Sequence, residues 1–226
     1  MSSVEADFDR LALLDEDGWT TNNHYHNFLL KHVPQNCENA LEIGCGTGAF
    51  ARQLAERCMH VTALDLSAEM IRVARSRSVK VDNLQFNVAD AMTWNFAHSH
   101  FDFVCSIATL HHLDQRELLI KIRHSLKPGG VLVLLDLVRS DSLIELALDV
   151  IALGVSPSLR LIHNGRLQPP AAVRKAWEQH GQHDHYSTFN QMQTLAHEIL
   201  PDSSLKRHLL WRYSLLYQKP AMDYHG

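Results

Sequence analysis

The sequence predicts an α/β fold, a parallel sheet with helices on both faces. Three observations lead there. From residue 37 onward, short apolar strands alternate with stretches of helical spacing. A glycine-rich turn, Gly44-Cys45-Gly46-Thr47-Gly48, follows the first strand and opens a helix. Residues 131–138 form a near-continuous apolar run, as expected of a central strand buried on both faces. The 226 residues suit one such domain and can bury a core without disulfide or metal staples.

The elements follow in order. The first 35 residues read as irregular helix ending at Pro34. Residues 40–43 are the first strand, and 48–58 form a helix through Phe50, Leu54, Ala55 and Cys58. Residues 61–66 are the second strand, and Ser67 caps a helix over 68–76. Residues 84–88 and 101–107 are the third and fourth strands. Asp114-Gln-Arg-Glu117 resembles a capping box, opening a helix that carries Leu118, Leu119, Ile122 and Leu126. Lys127-Pro128-Gly129-Gly130 stops it before the fifth strand.

Beyond residue 138 the pattern changes. An amphipathic helix covers 141–153, a loop 154–170 holds Pro157, Gly165, Pro169 and Pro170, and a helix covers 171–180. Alternation between 205 and 218 predicts two last strands. No linker divides the chain. It reads as a single domain, 1–226, with its core at about 37–140 and 203–219. Residues 1–35 and 141–200 are its cap. Leu143, Leu146, Val150 and Leu153 either face an apolar ligand or pack against the sheet.

Composition narrows the partners. A net charge of −4 offers no basic excess to hold a polyphosphate backbone, so no nucleic acid is expected. The four cysteines show no CxxC spacing, which predicts free thiols and a reducing, cytoplasmic setting. The N-terminus has no signal-peptide pattern. The apolar stretch 143–155 is broken by Glu145 and Asp149 and is too short for a membrane span.

The glycine turn lets a backbone approach a ligand closely, and the helix behind it favours an anionic group. Read as Gly44-x-Gly46-x-x-Ala49, with Asp65 about 20 residues on, it fits an adenosine cofactor, a dinucleotide included. Glu42, just before the turn, suits a ligand bearing an ammonium and sits poorly beside a pyrophosphate. Asp90, after the third strand, is placed for the exocyclic amine of adenine or for a turn.

The segments LEIGCGTG (41–48), LDLS (64–67), VADA (88–91), FDFVCSIATLHHL (101–113) and LKPGGVLVLLDL (126–137) occur in this order. Together they resemble the class I S-adenosylmethionine-dependent methyltransferases, in particular the small-molecule group of the ubiquinone/menaquinone type. The resemblance implies a Rossmann-like seven-stranded sheet, order 3-2-1-4-5-7-6, with the last strand antiparallel. It implies S-adenosylmethionine as cofactor and S-adenosylhomocysteine as product. Gly44, Cys45, Gly46 and Gly48 would pass under the methionine part, with Glu42 near its ammonium. Asp65 would take the ribose hydroxyls. Leu66 and Met70 would flank adenine, though Met70 also fits helix core, while Asp90 and Ala91 would read the adenine edge. Ile107 would line the methionine and face the acceptor.

Methyl transfer from a sulfonium needs alignment, exclusion of water and, for a protonated nucleophile, a base. His111 and His112 follow the fourth strand and are candidates for that base or for a structural role. Tyr25 and His26 either close over the cofactor or pack on the core. Asp136 either meets the acceptor or serves a turn. His180, His183 and His185 with Asp184 match no standard zinc spacing, so a solvated loop and no metal are expected. The chain lacks the Asn/Asp-Pro-Pro-Tyr motif of planar-amine methylation, and no proline precedes Cys105 as in cytosine methylation. A small-molecule acceptor, methylated on O, N or C, is therefore expected. The other readings are a nicotinamide-dependent oxidoreductase and a non-catalytic cofactor-binding protein. Oligomeric state is not legible in the sequence.

Overall fold

A computed structural model of the chain describes residues 3–14, 18–181, 184 and 186–221. Its strands are β1 (Cys37–Ile43), β2 (Cys58–Asp65), β3 (Leu84–Val88), β4 (Phe101–Ile107), β5 (Leu126–Leu137), β6 (Ser204–His208) and β7 (Arg212–Gln218). They form one seven-stranded sheet in the order β3-β2-β1-β4-β5-β7-β6. The first five run parallel, and β7 lies antiparallel between β5 and β6. This is the expected topology. The helices are α1 (Ser3–Leu13), α2 (His26–Leu30), α3 (Ala49–Ala55), α4 (Ala68–Ser76), α5 (Gln115–Ser125), α6 (Leu143–Asn164), α7 (Ala171–His180) and α8 (Phe189–Ile199).

Side chains that alternate along the strands divide the core between the two faces. Val104, Leu132 and Leu134 pack with Leu118, Leu119 and Ile122 of α5 and with Met192, Ala196 and Ile199 of α8. Phe103, Cys105, Val133 and Leu135 pack on the other side with Leu29, Leu30, Phe50, Leu54 and Ala152. Each fully buried Leu or Phe contributes about 1.5–3 kcal/mol, so both helical layers are needed to hold the sheet. The four cysteines are free and buried.

Three stretches differ from the sequence reading. Residues 189–199 belong to the core and not to a cap. Thr188 and Gln191 form a capping box there, and that Thr-x-x-Gln spacing was the overlooked signal. The fifth strand starts at Leu126, earlier than 131, and its pairing with β4 slips between Phe101 and Phe103. The expected loop from 154 is instead helix, because α6 continues through Gly154 and Pro157 to Asn164. Ser158 Oγ donates to the Gly154 carbonyl at 2.8 Å beside the proline gap, and Gly165, at φ 69°, ends the helix. The 20 residues from Glu145 to Asn164 are thereby long and apolar enough to cross a bilayer by length and composition. The helix nonetheless lies on the body of the protein. Arg207 Nη2 donates to Asp149 at 3.1 Å, and Asn164 exchanges two hydrogen bonds with the Trp19 backbone at 2.8 and 2.9 Å. Leu143, Leu146, Val150 and Leu153 are exposed and do not pack against the sheet.

Burial sets an acid limit on stability. His26 is 6% exposed with its ring against Phe50, and burial pulls its pKa from 6.5 to about 4. Below pH 6.5 the unfolded chain takes up a proton that the folded chain refuses, so stability present above 6.5 is lost as pH falls toward 4. At pH 5, His26 accounts for roughly 2 kcal/mol of that loss. Burial lowers His112 and His208 to about 4 as well, reinforcing the effect. Melting curves between pH 7.5 and 4.5 are expected to fall more steeply for wild type than for His26→Gln. Parallel curves would contradict the assignment.

Candidate active site

The order of the sheet reverses beside β1, which has β2 on one side and β4 on the other. Open α/β sheets bind ligands at the carboxyl ends of strands flanking such a point. The glycine turn leaves β1 there. Its first N–H groups are committed to β2, since Gly44 and Cys45 both donate to the Leu64 carbonyl, at 2.8 and 2.9 Å. Gly48 is the N-cap of α3 and donates to the Cys45 carbonyl at 2.9 Å.

Two of the glycines matter for different reasons. Gly44 has φ +73°, and a Cβ there would meet Thr109 Oγ1 at 2.0 Å. The loop after β4 therefore closes directly over the turn. Gly46 has φ +51° and nothing within 4 Å of an added Cβ, so the backbone there faces open space. Gly44→Ala combines left-handed strain with a clash and is expected to cost about 2 kcal/mol or more, seen as a Tm drop of roughly 4–8 °C. Gly46→Ala is expected to lower Tm less and to reduce ligand affinity instead. Equal Tm losses in the two variants would contradict this division.

The remaining cofactor candidates take these places. Asp65, at the end of β2, accepts from the Gly46 N–H at 2.8 Å and from the Ser67 N–H at 2.9 Å. Burial raises its pKa above the usual carboxylate range while these bonds oppose the rise. Glu42 is 2% exposed, and its Oε2 is buried without a hydrogen-bond partner among the described residues. Burial first, and then the neighbouring Asp65, push its carboxyl well above the ordinary range. Leu66 is half-buried beside them. Asp90 Oδ1 accepts from the Met92 N–H at 2.8 Å, which is the turn reading, and Ala91 is buried in the core. Ile107 is 8% exposed at the carboxyl end of β4. Met70 packs with Leu11, Ala12 and Ala176, so of its two readings the structure shows core packing. Tyr25 donates to the Leu209 carbonyl at 2.5 Å, and it too is a packing residue.

The sequence reading missed the part α1 plays. Asp9 Oδ1 accepts from Ser67 Oγ at 2.5 Å and from the Glu69 N–H at 3.3 Å. This lays the N-terminal helix across the start of α4. Asp9 follows no motif, so only its partners reveal the contact.

His111 and His112 sit in a short 3₁₀ turn after β4, anchored by the buried Leu110. His111 Nδ1 lies 2.6 Å from Asp136 Oδ1, and both side chains are buried. Asp136, near the end of β5, also accepts from the Leu137 N–H at 2.8 Å, while its Oδ2 has no hydrogen-bond partner among the described residues. With Asp136 ionised, Nδ1 of His111 carries the proton and Nε2 keeps a lone pair. The two histidine rings are 3.9 Å apart. Burial, then His111, lower the His112 pKa to about 4, so His112 is neutral near pH 7. Its Nδ1 lies 3.3 Å from Asp184, which in turn accepts from Tyr186 at 2.7 Å. Phe8 of α1 contacts both His112 and His180 edge-on.

His180 is 3% exposed, with Nδ1 3.3 Å from Asp7, so it joins this cluster and not a solvated loop. His183 and His185 lie outside the described residues. His111, His112 and Asp184 offer donor atoms within 4.8 Å of one another, and all three are already tied into the hydrogen-bonded and ionic network.

Residues 41–134 match the family model described as "Methyltransferase domain". The chain is 29% identical to an uncharacterized methyltransferase of Mycobacterium tuberculosis over 214 residues, 90% of this chain and 98% of that one. It is 30% identical to a ubiquinone biosynthesis O-methyltransferase of Xylella fastidiosa over 155 residues, 66% of this chain and 61% of the relative. Among solved structures it resembles the N-methyltransferase NodS of Bradyrhizobium japonicum in complex with S-adenosylhomocysteine. There the TM-score is 0.66 at 19% identity, over 97% of this chain and all of that one. O- and N-methyltransferases both appear, so no acceptor subgroup is singled out. With its glycine turn, its strand-end acid and its 3-2-1-4-5-7-6 sheet, the chain has the fold of the class I S-adenosylmethionine-dependent methyltransferases, and its residues 41–134 match a methyltransferase domain.

Proposed function

We propose that this protein transfers a methyl group from S-adenosylmethionine to a small acceptor that must lose a proton, with His111 as the base and Asp136 as its positioning partner. The His111–Asp136 pair carries this reading. It is buried, 2.6 Å long, and stands at the carboxyl ends of adjacent strands β4 and β5.

The residues present fit the cofactor. The orphaned Glu42 Oε2 suits the ammonium of its methionine part, and the open backbone at Gly46 suits close passage of the same chain. Asp65 is placed for the ribose hydroxyls. When bound, the cofactor supplies an activated methyl group on sulfur. His111 Nε2 takes the acceptor's proton as the new bond forms. Asp136 fixes the tautomer and stabilises the resulting imidazolium, and α1 with Phe8 keeps water from the cluster.

The deficit of positive charge supports a small molecule over nucleic acid as acceptor. The free, buried cysteines support the cytoplasm as the place of action. The test is release of S-adenosylhomocysteine with a panel of phenols, amines and activated carbon acids. At least one acceptor class should turn over. A protein that binds cofactor and turns over none of them would count against the proposal.

A further inference from the structure

The buried cluster around His111 gathers carboxylates without a permanent cation to match them. The side chains of Asp136 and Asp184 are 2% and 6% exposed. Among the described residues no Lys or Arg nitrogen lies within ion-pair distance of either, and their ionic partners are the histidines His111, His112 and His180. Buried carboxylates are costly unless a cation balances them. In the same cluster His111, His112 and Asp184 bring one donor atom each to within 4.8 Å of one another.

We propose that these three residues form a site for a divalent metal ion of the zinc class, with His111 Nε2, His112 Nδ1 and Asp184 Oδ1 as its ligands. The surrounding contacts select those atoms. Asp136 Oδ1 holds His111 Nδ1 at 2.6 Å, which leaves Nε2 for an ion. A carboxylate on the far nitrogen is the usual support of a metal-bound histidine. Tyr186 donates to Asp184 Oδ2 at 2.7 Å, and His180 Nε2 stands 3.7 Å from that same oxygen, which leaves Oδ1. His112 Nδ1 lies 3.3 Å from this Oδ1. Two ligands at about 2.0–2.1 Å from a tetrahedral ion stand about 3.3 Å apart, whereas a charge-assisted hydrogen bond is about 2.7–2.9 Å long.

The donor set chooses the ion. Two imidazoles and one carboxylate suit Zn²⁺ and its neighbours Co²⁺ and Ni²⁺, while Mg²⁺ and Ca²⁺ prefer oxygen sets. Spacing along the chain does not announce the site, because two ligands sit in the turn after β4 and the third lies between α7 and α8. An ion held there ties the α7–α8 connection to that turn. It also occupies the His111 lone pair, so zinc withdraws the base from the acceptor. This consequence rests on the role proposed for His111, whereas the binding of metal does not.

Equilibrium dialysis of the untagged full chain against Zn²⁺, with bound metal counted per chain, tests the site. One ion per chain is expected at about 1 µM or tighter. His112→Asn and Asp184→Asn should each weaken binding by about 10²-fold or more, and Tyr186→Phe, which removes only the support at Oδ2, by about 10-fold. His124→Gln, which alters an exposed histidine at the end of α5, should leave it unchanged. Circular dichroism checks the fold of each variant. Co²⁺ on the wild-type chain gives a second readout, since its visible absorption reports a four-coordinate site. No ion bound below about 100 µM, binding as tight in His112→Asn and Asp184→Asn as in wild type, or loss of binding in His124→Gln would each overturn the site. Turnover should fall as zinc occupancy rises. Zinc that binds and leaves turnover unchanged or raised would overturn His111 as the base and leave the metal site standing.

Discussion

Asp65→Ala is expected to weaken binding of S-adenosylhomocysteine by about 10²–10⁴-fold. An ionised acid bonded to two ribose hydroxyls contributes roughly 1.5–3 kcal/mol per bond, and alanine removes both. Asp65 also anchors the Gly46 and Ser67 N–H groups at 2.8 and 2.9 Å, so part of the effect is loss of the turn's shape. Asp65→Asn separates the two contributions. It keeps one acceptor oxygen and is expected to lose only about 10-fold. Calorimetric titration of the three proteins, with circular dichroism to check the fold, gives the comparison. Unchanged affinity in Asp65→Ala would remove the acid from the site.

His111→Ala is expected to lower kcat by about 10²–10⁴-fold with little change in affinity for the cofactor. Asp136→Asn should lower kcat by about 10–10²-fold, because the asparagine amide can donate to Nδ1 and so hold the wrong tautomer. The distinguishing readout is the acceptor's own acidity. An acceptor already ionised at the assay pH needs no base, so its turnover should fall far less in both variants. A purely structural His111 would slow ionised and protonated acceptors alike. His112, pulled to about 4 by burial, is already neutral at pH 7 and sits with its Nδ1 3.3 Å from Asp184. His112→Asn is therefore expected to have the smaller effect on kcat.

The core was legible because its signals are local. The glycine turn, the Ser67 cap and the Asp114 cap each declare one boundary, and the apolar runs of β4 and β5 declare a buried strand. Within the site, the residues beside the turn could be named for the same reason. What could not be read depends on contacts across the chain. Asp136 gains its meaning only when β5 brings it against His111, 25 residues away. Asp9 reaches Ser67 from 58 residues off. α6 misled for a physical reason. Gly154 and Pro157 usually end helices, yet the tethers to Arg207 and Trp19 hold this one to Asn164. Its apolar side is expected from the sequence to face either an apolar ligand or the sheet, because amphipathic helices normally bury that side.

The central claim is that the turn between β1 and α3 holds a sulfur-bearing adenosine cofactor. Calorimetric titration of the wild-type chain with S-adenosylmethionine, S-adenosylhomocysteine and NAD(H) tests it most directly. One site per chain for each of the two sulfur compounds, at micromolar affinity, and no heat from NAD(H) is the expected result. Binding of NAD(H) alone would contradict the claim, and so would binding of none.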